Sequence, residues 1–113
     1  MRDIIIASVH YMNIQKPFKI ILRNKLKGNA MGLHYQLMRK NKLIGHRIEV
    51  SLDTDNDLRD CDTLIMHEFI HAWQAENGYL DHHGASFQSM AKQLQKRFGI
   101  MNLYIPGVDV EPE

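Results

Sequence analysis

His67-Glu68-Phe69-Ile70-His71 is a segment whose residue types and spacing together specify a chemistry. Two histidines four positions apart on an α-helix stand about one turn apart and differ in direction by about 40°. Both imidazoles can then reach one metal ion from the same side. Glu68 does not share that direction, so it stands beside the ion, where a carboxylate can take a proton from a metal-activated water. Zinc suits this arrangement because it lowers the pKa of bound water toward about 7 and polarises the scissile carbonyl. The pattern therefore predicts a Zn2+-dependent peptidase, with His67 and His71 as ligands and Glu68 as the catalytic acid/base.

A catalytic zinc needs a third protein ligand and an open position. His82 and His83 follow a short loop after the helix, and either can fold back over it. His83 is favoured because it directly precedes Gly84 and the next helix, a rigid mounting; His82 is the alternative. A glutamate as third ligand fits poorly: Glu76 is too close, and the next is Glu111. A third histidine six positions beyond His71 is absent, since Asn77 stands there. Cys61, six positions before His67, points to another side of the helix and cannot close the site as a structural one.

These residues need a helix to carry them. Leu64, Ile65, Met66, Phe69, Ile70, Ala72 and Trp73 make the middle of the segment apolar on nearly every side, the composition of a buried helix. The expected span runs from about residue 58 to Asn77, with N-cap candidates in Asp55-Asn56-Asp57 and a stop at Gly78. A loop from Gly78 to His83 leads to a second helix, on which Phe87, Met90, Ala91, Leu94 and Phe98 recur at helical spacing before Gly99. Upstream, three alternating segments predict strands: Phe18, Ile20 and Leu22; then Met31, Leu33, Tyr35 and Leu37; then Ile48, Val50 and Leu52 with one buried face. Gly28-Asn29 reads as a turn, and Asn41 to Gly45 as a connection. Residues 3–12 fit either a short helix or a strand led by the isoleucine run. The segment after Tyr104, with Pro106, Gly107 and Pro112, reads as irregular or frayed.

The 113 residues suffice for one domain, 1–113, with a single core of α+β class. No apolar stretch has the length of a membrane span. The run Ile4 to Val9 is broken by His10 and lacks a small-residue cleavage site, so the expected location is cytoplasmic. One cysteine, Cys61, permits no intrachain disulfide. The net charge of +1 hides an uneven distribution. No acidic residue occurs between Asp3 and Glu49, while Lys16, Lys19, Arg23, Lys25, Lys27, Arg39, Lys40, Lys42 and Arg47 do. Such a segment either attracts a phosphate backbone, giving weak DNA binding, or is a solvated strand face whose lysines discourage edge aggregation.

His67-Glu68-Phe69-Ile70-His71 followed by His83-Gly84-Ala85-Ser86-Phe87 resembles the SprT-like metallopeptidase family, with the WLM-type peptidases next in likeness. The order of elements is also similar: a helix, a small three-stranded sheet, the metal helix, a loop and a final helix, in a zincin-like fold. The resemblance implies His67, His71 and His83 as zinc ligands, Glu68 as catalytic acid/base and Phe87 as a packing anchor. It also implies protein or peptide substrates, among them proteins bound to DNA. Many such proteins add a zinc ribbon of paired cysteines; with Cys61 alone, the expectation here is a minimal core. The reading from another class is a nucleic-acid-associated zinc-binding module with little turnover, for which Glu68 would have no use.

Overall fold

The computed structural model describes residues 3–53 and 59–109. Helix α1 spans Asp3–Tyr11, strand β1 Phe18–Arg23, β2 Gly32–Arg39 and β3 Lys42–Ser51, followed by helices α2, Cys61–Asn77, and α3, Ala85–Phe98. A short 3-10 turn, Lys27–Asn29, stands where Gly28-Asn29 predicts a turn, with Gly28 at φ 69°. The α+β class and the order of elements agree with expectation.

The isoleucine run forms a helix. Ile5 is buried while Ile6 is 42% exposed, a helical rather than continuous burial pattern. Ser8 is buried on the same helix and satisfies its hydroxyl by donating to the Ile4 carbonyl at 2.8 Å.

The sheet has the order β1-β3-β2, with β3 parallel to β1 and antiparallel to β2. Being central, β3 buries His46, Ile48 and Val50 completely on the face toward the helices. The register sets Gly32, His34 and Gln36 of β2 on that same face, opposite Val50, Ile48 and His46. Leu33, Tyr35 and Leu37 therefore face the other way. Leu52 does not join the buried set; it lies one residue past the strand and is 51% exposed.

The connection expected at Asn41 to Gly45 is shorter. Arg39 pairs with Lys42, leaving Lys40 and Asn41 as a two-residue turn with φ of 50° and 63°. Positive φ at both central positions matches the right-handed twist of a hairpin, and asparagine tolerates it. Leu43, Ile44 and Gly45 then extend β3, with a register shift opposite Leu37 and Met38.

Helix α2 begins at Cys61, later than expected, with Asp60 as N-cap accepting from the Thr63 amide at 2.8 Å. The cap candidates Asp55, Asn56 and Asp57 lie outside the described residues. At its other end Gly78, φ 75°, makes the left-handed cap. Leu64, Met66, Phe69, Ile70 and Ala72 are at most 1% exposed and join Phe87, Leu94 and Leu103 in the core. Phe18 of β1 meets Phe69 edge-on at 4.8 Å, locking the sheet to the helix. Among the described residues no helix is long and apolar enough to cross a membrane.

Candidate metal centre

Helix α2 presents His67, Glu68 and His71 to a cleft of about 660 Å3 whose opposite wall is β2. His67 and Glu68 are each 5% exposed. His83 arrives from the turn before α3. Its Nε2 lies 3.1 Å from His67 Nε2 and 3.2 Å from His71 Nε2. One nitrogen from each of the three histidines can be chosen so that all lie within 4.8 Å of one another.

The turn that delivers His83 is built by specific residues. His82 takes a left-handed conformation, φ 52°, which folds the chain back. Asp81 Oδ2 accepts from the Ser86 amide at 2.7 Å, anchoring the first turn of α3. A side chain at Gly84 would put its Cβ 2.8 Å from the Asp81 carbonyl oxygen, so this tight crossing needs glycine. Phe87, fully buried, forms the floor: its ring centroid is 4.7, 4.8 and 4.9 Å from those of His67, His71 and His83.

The outer nitrogens of the two helical histidines are committed. His67 Nδ1 donates to the Leu103 carbonyl at 2.6 Å. Arg59 Nη1 is 3.4 Å from the same nitrogen, but its stronger contact is Asp109 at 2.8 Å. His71 Nδ1 is 2.8 Å from Gln74 Oε1. Gln74 Nε2 donates to the His82 carbonyl at 2.6 Å and to Ser86 Oγ at 2.9 Å, so the amide can offer His71 only its oxygen. Ser86 Oγ in turn donates to Asp81. With both Nδ1 atoms carrying protons, Nε2 of His67 and of His71 are lone pairs when the rings are neutral. His83 Nε2 can give a hydrogen to only one of them. Facing imidazole lone pairs in a buried setting fit a metal cation, and the outer hydrogen bonds supply the support that metal-binding histidines need.

Electrostatics point the same way. Burial, opposed by Asp109 and the Leu103 carbonyl, brings His67 down to about 4. Burial and then the neighbouring His67 bring His71 lower still. Protons therefore do not compete for these nitrogens at neutral pH. Burial first, and then Asp109, push Glu68 up to about 8, while Arg59 opposes. A divalent cation nearby acts in the reverse sense and favours the carboxylate. Glu68 Oε2 is 3.9 Å from His67 Nε2, beside the cluster rather than in it.

A model of the SprT-like family matches residues 7–108. The chain belongs to the SprT-like family. No curated protein and no solved structure matches it.

In this SprT-like chain His67, His71 and His83 converge, Glu68 flanks them, and His82 instead stacks on His71 with ring centroids 4.7 Å apart. His34 and Tyr79 also line the cleft. Tyr35 lies on the far face of the sheet under the Arg47 guanidinium, 4.3 Å from its ring centroid, and Arg97 sits over Tyr11 on α3. Sequence reasoning missed Gln74, Asp81, Ser86, Leu103, Arg59 and Asp109 as supports of the histidines. Gln74 alone carried a signal, a polar side chain one turn after His71 on a buried helix. The segment after Tyr104 is irregular, as expected, as far as residue 109, and it is tied down there: Asp109 accepts from Arg59 and from the Ile105 amide at 2.8 Å each; the rest of it lies outside the described residues.

Proposed function

We propose that the chain is a zinc-dependent endopeptidase of SprT-like type, with His67, His71 and His83 as zinc ligands and Glu68 as the catalytic acid/base. The observation that carries this reading is the facing of three imidazole nitrogens beside a buried carboxylate in a cleft open to a peptide. When bound, zinc supplies Lewis acidity toward water and the scissile carbonyl. Glu68 takes the proton of the attacking water and hands it to the leaving amine. Its carboxylate is held against Gly32 of β2, where a Cβ would come within 2.7 Å of Oε2.

Among the described residues strand β2 pairs with β3 along one edge only, and residues 30–34 and 36 line the cleft. An extended substrate adds to the open edge as a further strand, with its backbone carried past Glu68. Proteins associated with DNA are the proposed substrates. Supporting this are the acid-free stretch from Ile4 to Ile48 and the grouping of exposed Arg39, Lys40 and Lys42 at the β2–β3 turn.

The test is Glu68→Gln together with metal analysis. The wild type should carry close to one zinc per chain and cleave an unfolded protein substrate. The variant should keep the zinc and lose about 10²-fold or more in kcat. A wild type that binds zinc yet cleaves nothing would leave the zinc-binding module as the better reading.

A further inference from the structure

Three titratable side chains from three elements form a line that runs from the metal helix through the sheet to the far wall of the cleft. Glu76, two turns after Glu68 on α2, has Oε2 2.7 Å from His46 Nε2 of β3. His46 Nδ1 is 2.8 Å from His34 Nε2 of β2. His46 is fully buried, and His34 opens into the cleft.

Around a neutral His46, the partners set the direction of every hydrogen in this line. The Glu76 oxygens also accept the amides of Gln15 at 2.7 Å and Lys16 at 3.1 Å, an arrangement made for a carboxylate. Burial alone would raise its pKa; the bonds from Gln15, His46 and Lys16 outweigh that and hold it below the usual range. An ionised carboxylate only accepts, so His46 Nε2 carries a hydrogen and donates it. In neutral His46 the other nitrogen, Nδ1, is then a lone pair, and the hydrogen between the two rings belongs to His34 Nε2. Burial, and then His46, bring His34 down to about 4, so its ring is neutral at physiological pH. Its Nδ1 is left as an acceptor, and it is not among the polar atoms buried without a partner.

His34 shares its strand face with Gly32, two residues and about 7 Å away along β2. Gly32 is the residue against which the Glu68 carboxylate rests. The acceptor therefore stands about one peptide repeat along the strand from the catalytic carboxylate. A peptide lying there presents N–H groups that need acceptors. We propose that His34, locked as an acceptor by His46 and Glu76, binds the substrate by taking a backbone N–H at Nδ1. This rests on the peptidase reading above and adds to it a substrate-binding residue, with His46 and Glu76 as its positioning residues.

Two measurements test it. Imidazole 15N NMR of the zinc-loaded protein should find His34 neutral, with the hydrogen on Nε2 and Nδ1 bare; an Nδ1–H tautomer overturns the proposal. In peptide hydrolysis, His34→Leu should raise KM roughly tenfold, the size expected for one hydrogen bond, with kcat and zinc content little changed. His34→Gln should recover part of the loss, because its amide can donate to His46 and accept from substrate. A merely structural His34 would shift Tm in the leucine variant and leave KM alone, which also overturns the proposal. If the wild type cleaves no peptide, the peptidase reading falls and takes this proposal with it. An active wild type matched in KM by His34→Leu removes this proposal only.

Discussion

Gly32 and Glu68 are in contact across the cleft, with the Glu68 carboxylate occupying the space that a side chain on Gly32 would take. A Cβ at Gly32 would lie 2.7 Å from Glu68 Oε2, 3.0 Å from its Cγ and 3.1 Å from its Cδ. Gly32→Ala should therefore displace the Glu68 carboxylate while the three histidines stay in place. A shift of about 1 Å costs on the order of 10²-fold in rate. The expected result is a large fall in kcat with normal zinc content; wild-type kcat would show that Glu68 tolerates the shift.

Metal retention should rank the histidines. His67→Ala and His71→Ala should lose zinc and lower Tm, because metal binding and folding are coupled. His83→Ala should weaken zinc far more than His82→Ala, since His83 offers Nε2 to the cluster while His82 only stacks on His71. Competition with a chelator, read by metal analysis, checks the order. Equal affinities for the His82 and His83 variants would remove His83 from the ligand set.

Gln74 makes no contact with the cleft nitrogens but sets the tautomer of His71 through its oxygen. Gln74→Leu keeps the volume and removes the acceptor. Loss of such outer support typically lowers metal affinity 10–100-fold. Zinc affinity should fall within that range, whereas Gln74→Glu, which still accepts, should retain more of it.

The basic hairpin turn predicts a salt-dependent interaction. Arg39, Lys40 and Lys42 are exposed and sit together at the β2–β3 turn. Arg23 and Arg47, by contrast, both pair with Glu49, at 2.6 and 3.0 Å. Binding to DNA of any sequence should weaken steeply as salt rises, because phosphate contacts release counterions and read no bases. Changing Arg39, Lys40 and Lys42 to Glu should abolish it in titrations at several salt concentrations. A wild type that binds neither single- nor double-stranded DNA at low salt would make this face a solvated one.

What the sequence disclosed follows the range of the interactions involved. The spacing of His67, Glu68 and His71, the stop at Gly78 and the period of α3 are local properties, and each stands where periodicity puts it. The tight hairpin is not legible locally, because Lys40 and Asn41 include no Gly; their positive φ is imposed by the pairing of β2 with β3. Nothing beside Glu76 in the sequence points to its partner, His46, which is 30 residues away. The anchoring of the last segment is equally non-local. Asp109 meets Arg59 across 50 residues, and Leu103 offers a backbone oxygen, which any residue type could supply.

The His67 ring faces two ways, with Nε2 toward His83 and Nδ1 toward the Leu103 carbonyl. One imidazole thus joins α2 to the turn before α3 and to the segment that returns past the site. Ligand binding to the native state adds RT ln(1 + [L]/Kd), about 2.7 kcal/mol at a hundredfold excess over Kd. If zinc binds the three histidines, the His67–Leu103 hydrogen bond should pass part of that stabilisation to residues 103–109. Amide exchange in this stretch should slow as free zinc is raised, so its dynamics would report metal occupancy from outside the cleft.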